Sequence, residues 1–241
     1  MEDRVIRTLG INLFTFSFSV QAIKKILEIE DSEAKTELNA IVIMALHAFS
    51  EGALTQILKE KLENSEGYKR ARNNHDLVTF NFIYEKIVNN PRNLEELKTR
   101  FKLIGIELSK IKKWKSMIAL SQLRNMVAHG ASFSYNVASI DDIDNSQGES
   151  QVIKKSEIHD EWSAKFLSYL EETNFIDKNF RSQPLSFQRI HKTYSTKIFS
   201  SDVIKHFIKC CNTFFNDLLS NEPEGIKEST QRAIRSLQKI T

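Results

Sequence analysis

The chain has 241 residues, long enough for one large core, yet carries only seven glycines and three prolines, which disfavours a turn-rich all-β protein and favours long helices. Thirty-four basic residues against 31 acidic ones leave a net charge of +3. No global field advertises a polyanionic partner, so any nucleic-acid site has to be local. The only cysteines, Cys210 and Cys211, are adjacent in an amphipathic stretch and lack metal-ligand spacing, which fits a reducing cytoplasm. No cofactor motif is present.

From Arg7 to Lys24 the interior of the chain is uncharged, but Thr15, Ser17, Ser19 and Gln21 interrupt it, and Glu2 and Asp3 spoil a signal-peptide start. A soluble protein with no membrane partner is expected. Apolar residues nearly alternate from Ile11 to Val20, as in a strand. The longer register of Leu9, Leu13, Phe16, Val20, Ile23 and Leu27 predicts a helix instead. Phe14 and Phe18 lie outside that seam and point to a second buried face, against another subunit.

Asp31 and Ser32 can cap a second helix running to about Leu62, with Leu38, Ile41, Ala45 and Phe49 as its apolar stripe. Between Leu38 and Leu58 its only charged residue is Glu51 and its only histidine is His47, four positions apart on one face. An unpaired buried charge is costly, so Glu51 belongs at a rim or beside a partner. A His–Glu pair at this spacing also suits a metal hydrolase, although no third ligand is evident. Glu63 to His75, with Lys69, Arg70 and Arg72, reads as a solvated loop. Leu77, Phe80, Ile83, Tyr84 and Ile87 mark the inward face of a helix ending before Pro91, and Asn93 with Glu96 resembles a capping box opening another through Leu97 and Phe101.

Lys110, Lys112, Lys113 and Lys115 then flank Trp114. The lysines suit RNA phosphates and the indole a stacked base; the alternative is a solvated helix face with a core tryptophan. Downstream, Ile118, Leu120, Leu123 and Val127 recur at helical intervals up to Arg124-Asn125-Met126-Val127-Ala128-His129-Gly130, where Gly130 supplies a stop and puts His129 in the final turn. Asn125 and His129 share a face, whereas Arg124 and His129 are offset by roughly 140°. A guanidinium is a permanent fork for phosphate oxygens, and an imidazole exchanges protons near neutral pH. Together they suit phosphodiester chemistry. Capping of helix-end carbonyls is the competing role.

This motif, Arg, four residues, His, with Asn125 after the Arg and Gly130 after the His, resembles that of the higher eukaryotes and prokaryotes nucleotide-binding (HEPN) superfamily. The resemblance implies an all-α, HEPN-like helical bundle, usually dimeric, in which two chains bring their motifs to one cleft. It implies a metal-independent endoribonuclease, with Arg124 and His129 catalytic, Asn125 as the polar residue after the Arg, and Glu51 as the acid on a helix near the cleft. Such domains act as toxins or antiviral defence effectors restrained by an antitoxin or a regulatory protein. Other HEPN-like domains only bind RNA or nucleotides, or dimerise, and that remains the alternative.

Beyond Gly130 the helical pattern lapses. A small β-hairpin is expected between Phe133 to Val137 and Gln151 to Lys154, then a helix with Ile158, Trp162, Phe166 and Tyr169. Residues 132–200 read as an insertion before the last core helix of a single domain, 1–241. Within it Lys178, Arg181, Arg189, Lys192 and Lys197 interleave with Phe180, Phe187, Tyr194 and Phe199, without an acid between Lys178 and Ser201, a pattern that suits single-stranded RNA or an anchored solvated loop. The last strong helix opens near Ser201-Asp202, buries Ile204, Phe207, Ile208, Cys211, Phe214, Phe215 and Leu218, and stops by Pro223. An amphipathic tail through Ile226, Ala233, Leu237 and Ile240 is left to dock on a partner.

Overall fold

A 32-residue helix, Glu33–Asn64, forms the spine against which most other helices pack. The computed structural model describes residues 19–29, 33–74, 77–87, 91, 93–128, 135–136, 157–158, 161–176 and 198–240. In chain order they hold α1 (described over 19–27), α2 (Glu33–Asn64), α3 (Glu66–Asn73), α4 (Leu77–Ile87), α5 (Leu94–Leu103) and α6 (Trp114–Ala128). Then follow α7 (Glu161–Glu172), α8 (Ser201–Asn221) and α9 (Glu228–Arg235), with 3-10 turns at Leu108–Lys110 and Ser236–Ile240. The architecture is predominantly helical, as the scarcity of chain breakers predicts.

Burial explains the length of α2. Val42, Ile43, Leu46, Phe49, Ala53, Leu54, Ile57 and Leu58 are all sealed in the core, a wide apolar arc centred near Leu46 and Ile57. At 100° per residue Ile41 falls on the opposite side, and it is 54% exposed rather than inward as the predicted stripe had it. Leu38–Asn64 is long and apolar enough by composition to cross a bilayer, but most of it is buried inside this chain.

Helix α8 packs on both α2 and α6. Its seven predicted apolar positions are all buried, with Phe215 edge-on to Phe49 at 6.0 Å and Phe214 against Trp114 at 6.0 Å. Each such ring contributes roughly 1.5–3 kcal/mol by leaving water. Ser200 caps the helix through its hydroxyl, and it ends at Asn221, two residues before Pro223.

The C-terminal tail, expected to dock on a partner, packs on α2 of its own chain. The buried Glu60 carboxylate accepts from the Lys227 backbone N–H and the Thr230 hydroxyl, both at 2.7 Å, and from the Gln56 amide at 2.7 Å. A carboxylate at a helix start satisfies orphan N–H groups and favours the helix dipole. Beside it, Asn64 donates to the Gly225 carbonyl at 2.9 Å, and Gly225 holds φ +75°, a conformation that favours glycine.

Asn93 caps α5 by accepting from the Glu96 N–H at 2.9 Å, as the capping box predicts, and Gly105 closes it with paired bonds, Ile106 N–H to Phe101 and Gly105 N–H to Lys102. Arg100 reaches from α5 to the Ile87 carbonyl at 3.2 Å and ties down the end of α4. The stretch after α2 is a helix, α3, rather than a loop: Ser65 caps it and Tyr68 and Ala71 anchor it. Tyr135–Asn136 pair antiparallel with Glu157–Ile158. The first strand lies inside the predicted hairpin arm, while Ile158 is in the partner strand and not in the helix that follows. Residues 151–154 lie outside the described residues. Within the expected insertion, α7 puts Phe166 and Leu170 into the common core against α6.

Candidate functional site

Helix α6 owes its orientation to Met117, Leu120, Leu123 and Met126, which are buried; Ile118 and Val127, predicted on that seam, are only half-buried. This rotation leaves Arg124 and Asn125 half-buried, one turn before the helix ends at Ala128. Arg124 Nη1 donates to Asn125 Oδ1 at 2.9 Å. Among the described residues this is the only acceptor the guanidinium has, and no carboxylate pairs with it. A guanidinium carries five N–H donors, so most remain free for another acceptor.

Within reach of the Arg124 charge are His47 and Glu51 of α2. His47 Nδ1 lies 3.4 Å from Glu51 Oε2, with the imidazole 2% exposed and the carboxylate 30% exposed. Burial first, and then the nearby Arg124 charge, push the His47 pKa down to about 4, so the ring is neutral at physiological pH. Burial raises the Glu51 pKa, and Arg124 partly opposes that. Arg124 therefore acts on both α2 side chains across the α2–α6 contact without closing an ion pair with Glu51. His47 Nε2 is buried and has no hydrogen-bond partner. No third His, Cys, Asp or Glu joins the pair to form a metal-ligand group among the described residues.

The structure thus brings together Arg124, Asn125, Glu51 and His47. His129 and Gly130, and with them the second half of the motif, lie outside the described residues, as do Arg181, Arg189, Lys192 and Lys197.

The lysine-rich turn before α6 is corrected in part. Trp114 is 7% exposed and packed on Phe214, so its ring supports the core instead of offering a face to a base. Lys112 is engaged twice by Asp217 of α8, its backbone N–H donating at 2.9 Å and its ammonium pairing at 3.3 Å. Lys110 pairs with Glu107 at 2.8 Å. Lys113 and Lys115 remain exposed, Lys113 with φ +66°.

Sequence reasoning missed a second polar cluster. Tyr169 Oη of α7 lies 2.6 Å from His206 Nε2 of α8, and Cys210 Sγ lies 3.4 Å from the same nitrogen. Burial, then Lys113 and Lys209, lower the His206 pKa, and burial raises that of Tyr169. The four-residue spacing of His206 and Cys210 was the available signal. Cys211 next door is sealed, its thiol pushed up to about 12 by burial.

No protein-family model, curated protein or solved structure matches this chain.

Proposed function

We propose that the chain is a metal-independent endoribonuclease of HEPN type. The observation that carries this reading is the half-buried Arg124, held one turn before the end of α6 by Asn125, its only acceptor among the described residues, and near enough to Glu51 for its charge to act on that carboxylate. A half-buried cation without a counterion among the described residues favours an anion, and His129, five positions on in the sequence, is the proton carrier of this reading.

In the proposed reaction the ribose 2′ oxygen attacks the adjacent phosphorus, and the bond from phosphorus to the 5′ oxygen breaks. The products are a 2′,3′-cyclic phosphate and a free 5′ hydroxyl. His129 transfers the proton between these oxygens, Arg124 stabilises charge developing on the non-bridging phosphate oxygens, and Asn125 keeps the guanidinium oriented. Glu51 limits the field of Arg124 from the other side of the cleft. A second copy of the chain contributes the second motif, and the biological setting is that of a toxin or antiviral defence effector with a restraining protein partner.

The test is incubation of purified protein with end-labelled RNA in excess chelator. Products with cyclic phosphate ends are expected, falling by roughly 10²-fold or more in Arg124→Ala and His129→Ala with the fold retained. Cleavage that persists in both variants, or that chelator abolishes, rejects the proposal.

A further inference from the structure

The region between α2 and α4 reads as a solvated loop in the sequence, but it folds as a helix, α3, which packs on α4 so that the two form an elbow. Tyr68 and Ala71 turn inward, so Lys69, Arg70 and Arg72 of α3 all point outward and are exposed. Among the described residues, none of these three makes an ion pair or side-chain hydrogen bond. On α4, which packs against α3, Val78 is 82% exposed and Phe82 is 61% exposed, the former the most exposed large apolar residue among those described. Lys86 stands 5.9 Å from the Phe82 ring centre. Glu66 and Glu85 are the exposed acids on these two helices, so the cations are in excess.

We infer that this elbow binds single-stranded RNA, with Lys69, Arg70 and Arg72 on successive phosphates and Phe82 under a base. Cations without a partner among the described residues, on a helix packed against one that carries an exposed ring, make the combination by which single strands are held without sequence readout. A bilayer shares the phosphate chemistry, but an interfacial anchor needs an apolar face of several residues. Among the described side chains of α3 and α4, Val78 and Phe82 are the exposed apolar ones, a ridge one turn long, enough for a nucleobase and its sugar. The elbow begins where α2 ends, about 20 Å along that helix from Glu51, a span of a few nucleotides. The inference rests on the proposed ribonuclease only for the identity of the ligand. It assigns the elbow the part of holding RNA that flanks the scissile phosphate.

Binding of a fluorescent single-stranded RNA is measured by anisotropy with Arg124→Ala as the parent, which separates binding from cleavage. Adding Lys69→Ala, Arg70→Ala and Arg72→Ala together should lower the slope of log affinity against log salt by about 2, since each phosphate contact contributes about 0.7. Phe82→Ala should weaken binding roughly fivefold or more, whereas Arg232→Ala with Arg235→Ala on α9 should change neither quantity. All these residues are exposed, and thermal melting checks that the variants stay folded. An unchanged salt slope in the triple variant overturns the inference even if the wild-type chain cleaves RNA. Binding that follows the prediction in a chain that never cleaves keeps the elbow and rejects the nuclease. Sedimentation with phosphatidylserine vesicles in the absence of any RNA binding also overturns it.

Discussion

The two ends of α6 carry similar residue types and have opposite fates. At its start, Lys110, Lys112 and Trp114 look like a nucleic-acid grip, but Glu107 and Asp217 neutralise the two lysines and the indole disappears against Phe214. Near its other end Arg124 is half-buried and has only Asn125 for an acceptor among the described residues. A cation available to a ligand is therefore defined by what the rest of the chain withholds from it. Asp217 lies 105 residues from Lys112, and no local pattern announces that pairing.

The contrast can be strained first at its structural end. Trp114→Ala removes a buried indole from between α6 and α8 and should cost about 3–5 kcal/mol, read as a lowered midpoint in denaturant unfolding. A variant with wild-type stability but weakened RNA binding would restore the stacking role that burial denies to Trp114.

Next come the α2 side chains that feel the Arg124 charge. The folded-state pKa of His47, about 4, lies below its ordinary 6.5. The unfolded chain therefore takes up that proton first, and the stability held above pH 6.5 drains away as pH falls towards 4, by about 3 kcal/mol. Glu51 works in the other direction. Its raised pKa makes the folded chain bind its proton first, a contribution that favours the fold in acid and is lost as pH rises through the folded value. His47→Gln should flatten the loss between pH 6.5 and 4, measured by urea unfolding across that range; an unchanged acid limb would show that the imidazole is not held neutral.

The smallest effect should come from Lys112→Ala, which removes an exposed ammonium but leaves the backbone N–H to Asp217 in place. Melting should shift far less than in Trp114→Ala, and Asp217→Ala, which loses both contacts, should shift more than Lys112→Ala. Equal melting of the two variants would mean that the backbone bond contributes nothing.

Much of the helical frame was legible because it repeats. The seam of α8 runs through seven apolar residues that are all buried, and the Asn93 cap of α5 is a local hydrogen bond between neighbours in sequence. Periodicity serves less well where a helix is buried over a wide arc: it points Ile41 inward and places Ile118 and Val127 on a seam that Met117 and Met126 occupy instead. In α3 a short polar helix has too few apolar positions to reveal its period, although Ser65 and Tyr68 hold it. The tail was read as a patch for a partner because its receptor, Glu60, lies far back in the chain. Of the candidate site, the types of Arg124, Asn125, Glu51 and His47 were readable from the sequence. That α2 and α6 pack so that the Arg124 charge reaches His47 and Glu51, with Arg124 lacking a carboxylate partner among the described residues, required the fold.

The most direct measurement compares Arg124→Ala and Lys112→Ala in one chelator-treated RNA cleavage assay, at matched concentration and with folding checked by melting. The account predicts that the first loses roughly 10²-fold or more in cleavage rate while the second stays close to wild type. Equal losses in the two, or none in Arg124→Ala, would contradict it.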